Sequence, residues 1–191
     1  TFVRRKIADF HNYPYSVKQF VPTLKGTKGI RSFPYIVMDY DSRINTLHVV
    51  YGSYEKWNDS LHTAVLYYVK TTDAGISWSK PYPVGFQVDS SSLQTDRFMP
   101  WVSIDEEKGD VHILYYSSQD DPKNLKCAAY LTIIHAEGPV THTKLSDSSF
   151  NPLKITDYSL NPVLGDYIGS AIRGTTFAYT WTEGPREFAD G

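Results

Sequence analysis

Phe33-Pro34-Tyr35-Ile36-Val37-Met38-Asp39 and Met99-Pro100-Trp101-Val102-Ser103-Ile104-Asp105 decide how this chain is read. Both place Pro, an aromatic, aliphatics and Asp in one order, 66 residues apart (Pro34 to Pro100). Each is a short apolar run of the kind that forms a strand. The runs that follow also correspond: Leu47-His48-Val49-Val50-Tyr51 and Val111-His112-Ile113-Leu114-Tyr115. A further step of 66 from Trp101 reaches Tyr167, inside Asp166-Tyr167-Ile168-Gly169-Ser170-Ala171. A glycine turn at Gly174 and the strand-like Thr176-Phe177-Ala178-Tyr179-Thr180-Trp181 come next. One strand-rich unit therefore recurs nearly three times.

No stretch keeps a 3.6-residue apolar period for three turns, so helix content should be very low. Repeats of several short strands read as propeller blades, with one extended loop per unit to account for the length. A β-sandwich with coincidental strand similarity is the competing architecture. The ordered recurrence favours blades of four-stranded antiparallel sheets. Residues 1–29 then end a preceding blade and its connector. Residues 30–95 and 96–160 form two whole blades, and 161–191 the first half of another.

Composition narrows the class. The chain has 191 residues, 19 Lys plus Arg against 21 Asp plus Glu, and a net charge of −2. That balance lacks the basic excess of a nucleic-acid binder. No apolar run is long enough for a membrane-spanning helix. Cys127 is the one cysteine, which excludes an intrachain disulfide and a cysteine zinc site. It sits in the Ala-rich Lys126-Cys127-Ala128-Ala129-Tyr130 and reads as a small buried hydrophobe. The first residue is Thr1 and no leader is visible, which reads as a processed or excised chain. Asn58-Asp59-Ser60 is a glycosylation sequon.

Thr71-Thr72-Asp73-Ala74-Gly75-Ile76-Ser77-Trp78 adds a local device. Asp73 suits a turn whose backbone N–H groups need an acceptor. Gly75 suits a backbone conformation that other residues resist. Trp78 suits burial between sheets. The octapeptide resembles the Asp box of sialidase-like (BNR-repeat) propellers, with Thr71 for Ser and Ser77 for Thr. The resemblance extends over most of residues 30–184, including Leu164-Gly165-Asp166-Tyr167-Ile168-Gly169 and Tyr179-Thr180-Trp181-Thr182-Glu183. In the second unit, Ile134-His135-Ala136-Glu137-Gly138-Pro139 stands where a box would lie, without its Asp.

The resemblance implies a ring of six or seven blades, of which this chain holds about two plus partial ones. The rest of the ring, or other subunits, would then be its partners. It implies a secreted or cell-surface protein acting on glycans or glycoproteins, either an exo-glycosidase of sialidase type or a non-catalytic binding or assembly module. It also implies that Thr71, Asp73, Gly75 and Trp78 are structural. Family sialidases hold the substrate carboxylate with arginines, whose planar fork donates two parallel bonds. They use a Tyr nucleophile paired with Glu, and an Asp as acid/base. Arg31 and Arg97, each three residues before the repeated Pro, are the candidate substrate-binding arginines. Asp166, Tyr167 and Glu183 are the candidates for catalysis. Trp57, in the loop after the second strand, is placed to stack on a sugar. The family's Arg-Ile-Pro is absent, since Arg31-Ser32-Phe33-Pro34 has one residue more.

No resident metal or organic cofactor is expected. Asp120-Asp121 and Asp39 with Asp41 carry the oxygen ligands that Ca²⁺ takes, and equally the pattern of turn-capping carboxylates. His48 and His112 occupy equivalent strand positions, which favours a packing role over metal binding.

Overall fold

The computed structural model describes residues 4–12, 15–16, 21–24, 30–56, 62–85, 95–155 and 164–184, with backbone only at 15–16, 21–24, 30–31 and 62. The described chain is all-β, apart from one 3₁₀ turn at Pro152–Lys154. β1 (Tyr15–Ser16), β2 (Val21–Leu24) and β3 (Ile30–Arg31) form a small antiparallel sheet. The first large sheet is a meander of β4 (Ile36–Asp41), β5 (Thr46–Lys56), β6 (His62–Thr71) and β7 (Tyr82–Pro83). The second repeats that order with β8 (Arg97–Asp105), β9 (Asp110–Ser117), β10 (Ala128–Ile134) and β11 (Thr141–Lys144). A hairpin of β12 (Gly169–Arg173) and β13 (Thr176–Thr180) follows.

The sheets stack face to face, with β8 against β4, β5 and β6 on one side and β12 on the other. This explains the burial along each strand. β4 alternates between exposed and partly buried residues, because only one of its faces is covered. β8 and β9 are buried almost throughout, because both faces are covered. Val50, Leu66, Tyr68 and Val84 of the first sheet pack with Val102, Ile104, Val111, Ile113 and Tyr115 of the second. Phe98, Leu114, Tyr116, Cys127 and Ala129 pack on the other side with Leu164, Ile168 and Phe150. Cys127 and Phe150 form an antiparallel bridge, each N–H donating to the other's carbonyl at 2.9 Å.

Strand register revises the repeat length. Val37 faces Val50 and Asp39 faces His48 in the first sheet. Trp101 faces Leu114 and Ser103 faces His112 in the second. Counted by register, the first two sheets are therefore 64 residues apart, not the 66 that the Pro-aromatic match gives. β8 also carries an irregularity between Phe98 and Trp101, where Met99 has φ +51°. Such a bulge adds a residue to one strand and re-aims the side chains around it.

Equivalent positions carry polar ties, within a sheet or between sheets. Asp39 Oδ2 accepts from Ile104 N at 2.9 Å. Its counterpart Ser103 has its Oγ 2.7 Å from Ser170 Oγ in the hairpin. His48 and His112 are buried, with their Nδ1 atoms 2.7 Å from Tyr68 Oη and 2.6 Å from Tyr179 Oη. Burial is the main cause pushing both imidazoles below their ordinary 6.5. The native state then binds fewer protons than the unfolded chain. Stability is thus full above pH 6.5 and falls as pH drops through 6.5 toward the depressed values. Thermal midpoints measured against pH should show this fall, and His112→Gln should flatten it; an equally steep fall in the variant would acquit His112.

Candidate functional site

A cleft of about 150 Å³ opens where the first strands of the three units begin. Its walls are Tyr35 with Ile36, Met99-Pro100-Trp101, and Asp166-Tyr167. Each wall is held from behind. Tyr35 O accepts from Gly52 N at 3.0 Å, fixing the entry to β4. The β8 bulge buries Phe98 and Met99, while Trp101 packs at the edge of the second core. Leu164 and Ile168 are buried on either side of Asp166-Tyr167 and leave the Tyr167 ring 76% exposed. The result is an apolar, aromatic slot with a carboxylate and a phenol in its wall. It suits a ligand with a flat apolar face and polar edges.

Of the sequence candidates, the cleft gathers Asp166 and Tyr167. Arg97 is turned the other way, into the interface between the first two sheets, and is 1% exposed. Its Nε donates to Gly85 O at 3.1 Å and its Nη1 to Thr95 O at 3.2 Å. Glu183 lies beyond β13, where its Oε1 accepts from the Trp181 indole N–H at 2.9 Å. Trp57 and Asn58 lie outside the described residues, and so does the side chain of Arg31. In the sequence Tyr35 and Trp101 are the aromatics of the repeated Pro-aromatic run. Their recurrence with Tyr167 every 66 residues is the signal that would have named them as cleft walls.

A second acid–tyrosine cluster sits on the side of the first sheet away from the second sheet. Tyr51 and Tyr67 have ring centroids 5.6 Å apart. Glu55 lies beside them, accepting from Ser53 Oγ at 2.7 Å and facing His11 Nδ1 at 3.5 Å. Burial, then the charge of Glu55, pushes the Tyr67 phenol up to about 12. That keeps Tyr67 neutral and a hydrogen-bond donor at physiological pH.

The Asp73 hairpin lies at the opposite end of the first sheet from the cleft, since Thr71 pairs with Leu47. Asp73 accepts from Ser77 Oγ at 2.6 Å, Ser77 N at 2.9 Å and Thr71 Oγ1 at 2.7 Å. These bonds, the Ser77 hydroxyl foremost, hold its carboxyl down to about 2. Thr71 Oγ1 in turn accepts from Gly75 N at 3.0 Å, and Gly75 has φ +81° over the Trp78 ring. The side chains of Thr71, Asp73 and Trp78 thus tie the turn together.

The corresponding β10–β11 hairpin is tied from outside. Asp110 of β9 accepts from Ala136 N at 2.9 Å and faces His135 Nδ1 at 2.8 Å, while His135 Nε2 lies 3.2 Å from Thr141 Oγ1. Burial raises the Asp110 pKa, but the Ala136 N–H and His135 outweigh it and leave it lowered.

The paired aspartates serve turns as well. Asp41 is held by Arg43 at 2.8 Å. Asp121 accepts from the backbone N–H groups of Lys123, Leu125 and Lys126. Asp120 meets Lys144 Nζ at 2.7 Å. Among the described residues no three His, Cys, Asp or Glu side chains are grouped to hold a metal ion. No helix among them is long and apolar enough to cross a membrane. No family model matches the chain, and no curated protein matches it.

Proposed function

We propose that this chain is part of an extracellular Asp-box β-propeller whose inner cleft binds glycans. The observation that carries the reading is the cleft itself, where Tyr35, Trp101 and Tyr167 from three successive units converge beside Asp166. Aromatic faces pack on the apolar side of a pyranose, and a carboxylate accepts from its hydroxyls. The blade reading is supported by two consecutive four-stranded meanders and by β4, β8 and β12 lying side by side. The self-tied hairpin at Asp73 supports the family assignment. Hydrolysis is the narrower version of this reading, with Asp166 and Tyr167 as the reacting pair. The burial of Arg97 favours binding over sialidase chemistry, because it removes one of the two arginines expected to clamp a substrate carboxylate.

Saturation-transfer NMR against a panel of neutral, amino and sialylated sugars is the direct test. At least one sugar should bind, and Tyr167→Ala should weaken it about tenfold, or about 1.4 kcal/mol. Tyr167 is exposed, so this variant should remain folded. No signal from any sugar, with the protein folded, would overturn the reading. Turnover of a fluorogenic sialoside would promote the hydrolytic version.

A further inference from the structure

Two of the cleft walls are equivalent strand entries that differ by one residue. In the first sheet, Ile36 alone stands between Tyr35, whose carbonyl takes the Gly52 N–H, and Val37. In the second, Met99 and Pro100 both stand between Phe98 and Trp101, while β9 has only Tyr115 between their partners Tyr116 and Leu114. β8 therefore carries an extra residue, and carries it where the strand lines the cleft. Bulges recur beside binding sites because they re-aim the side chains around them. Pro100 has no N–H for the ladder, so the irregularity falls where a strand bond is already missing.

The extra residue is strained. Met99 has φ +51°, a left-handed backbone that glycine adopts freely and a residue with a side chain does not. Strain of this kind persists where the surroundings hold it, and it collects at ligand sites. Here the surroundings hold the side chain. Met99 is 2% exposed and belongs to the buried cluster of Phe98, Leu164 and Ile168, yet it also lines the cleft. It thus meets the cleft from the buried side and closes it off from the core. The space left is about 150 Å³, about the size of an apolar cavity that holds one benzene ring.

We infer that Met99 sets the size limit of the cleft, which admits a single six-membered ring and excludes one with a bulky substituent on its inward edge. The inference rests on the reading of the cleft as a ligand site and narrows what it takes to a terminal, unbranched ring.

Cyclohexanol and menthol, the same ring with isopropyl and methyl substituents, test the limit without a sugar. Each is titrated into the whole chain and followed by the Trp101 indole NMR signal, assigned with Trp101→Phe. The wild type should bind cyclohexanol at least about tenfold more tightly than menthol, the scale on which an apolar pocket rejects added bulk. Greasiness alone would give the opposite order. Met99→Gly removes the side chain at a backbone position that suits glycine, and should abolish the preference; Met99→Ala replaces it if it does not fold. Met99→Leu, close in volume, should keep the preference. So should Cys127→Ala, which loosens the same core without lining the cleft. A preference unchanged in Met99→Gly overturns the inference, as does one lost equally in Cys127→Ala. A wild type that binds neither alcohol, or menthol as well as cyclohexanol, overturns it too. Sugars titrated in parallel separate the two readings. A size limit for alcohols with no sugar bound would sink the glycan reading alone, and sugars bound with no size limit would sink this inference alone.

Discussion

Arg97→Ala should destabilise the fold by about 4 kcal/mol, the range for removing one partner from a buried charged network. At roughly 2–4 °C per kcal/mol for a chain of this size, the melting midpoint should fall by roughly 8–16 °C. The guanidinium is enclosed by Gly85, Thr95 and Tyr115, and a side chain at Gly85 would run into the Tyr115 phenol and the Arg97 Nε. Alanine would leave a cavity there. It would also strip donors from two buried carbonyls, Gly85 O and Thr95 O. Each orphaned acceptor costs about 1–3 kcal/mol. The nearby carboxylate of Asp96, itself fully buried, would lose a neighbouring positive charge. If Arg97 faced a ligand, the opposite pattern would appear: an unchanged melt and lost sugar binding.

Tyr116→Ala should cost about as much, about 4 kcal/mol, for a different reason. The ring is fully buried, stacked on Phe98 at 5.6 Å and edge-on to Phe150 at 6.2 Å. Its hydroxyl donates to Thr182 O at 2.9 Å and accepts from Thr182 N at 2.8 Å. Tyr116 therefore anchors the segment after β13 to the second sheet. Tyr116→Phe keeps the packing and loses only those two bonds, at about 1–2 kcal/mol. Urea midpoints give the two costs, and hydrogen exchange should locate the loss in β12–β13 for both variants. A phenylalanine variant as stable as the original would mean that the Thr182 bridge contributes nothing. One as unstable as the alanine variant would mean that ring packing contributes nothing.

The strands and hairpins were legible because apolar runs and Gly or Asp turns are local signals. Asp73 was legible for the same reason, since its partners lie within four residues. The register was not. The two sequence matches differ by two residues, at 66 for the Pro-aromatic run and 64 for the His run, and pairing decides for 64. Met99 adopts φ +51° although nothing in its residue type asks for it. Arg97 misled because arginines usually keep their charge in water. Its burial depends on Gly85, Thr95 and Tyr115, which no short motif connects to it. The cleft was half legible. Asp166 and Tyr167 were read from a resemblance, while Trp101 enters the wall through a bulge that the sequence does not announce.

Cys127 has a consequence under oxidising conditions. Its thiol is fully buried, and burial pushes it far above its ordinary range. Disulfide exchange needs an accessible thiolate. In the folded chain the cysteine is therefore silent toward oxidants. The same thiol becomes available once the Phe150 bridge opens, and with no second cysteine in the chain its disulfide partners come from other molecules. Loss of the core and covalent crosslinking between chains are thus one event, so oxidative damage in this protein would record past unfolding.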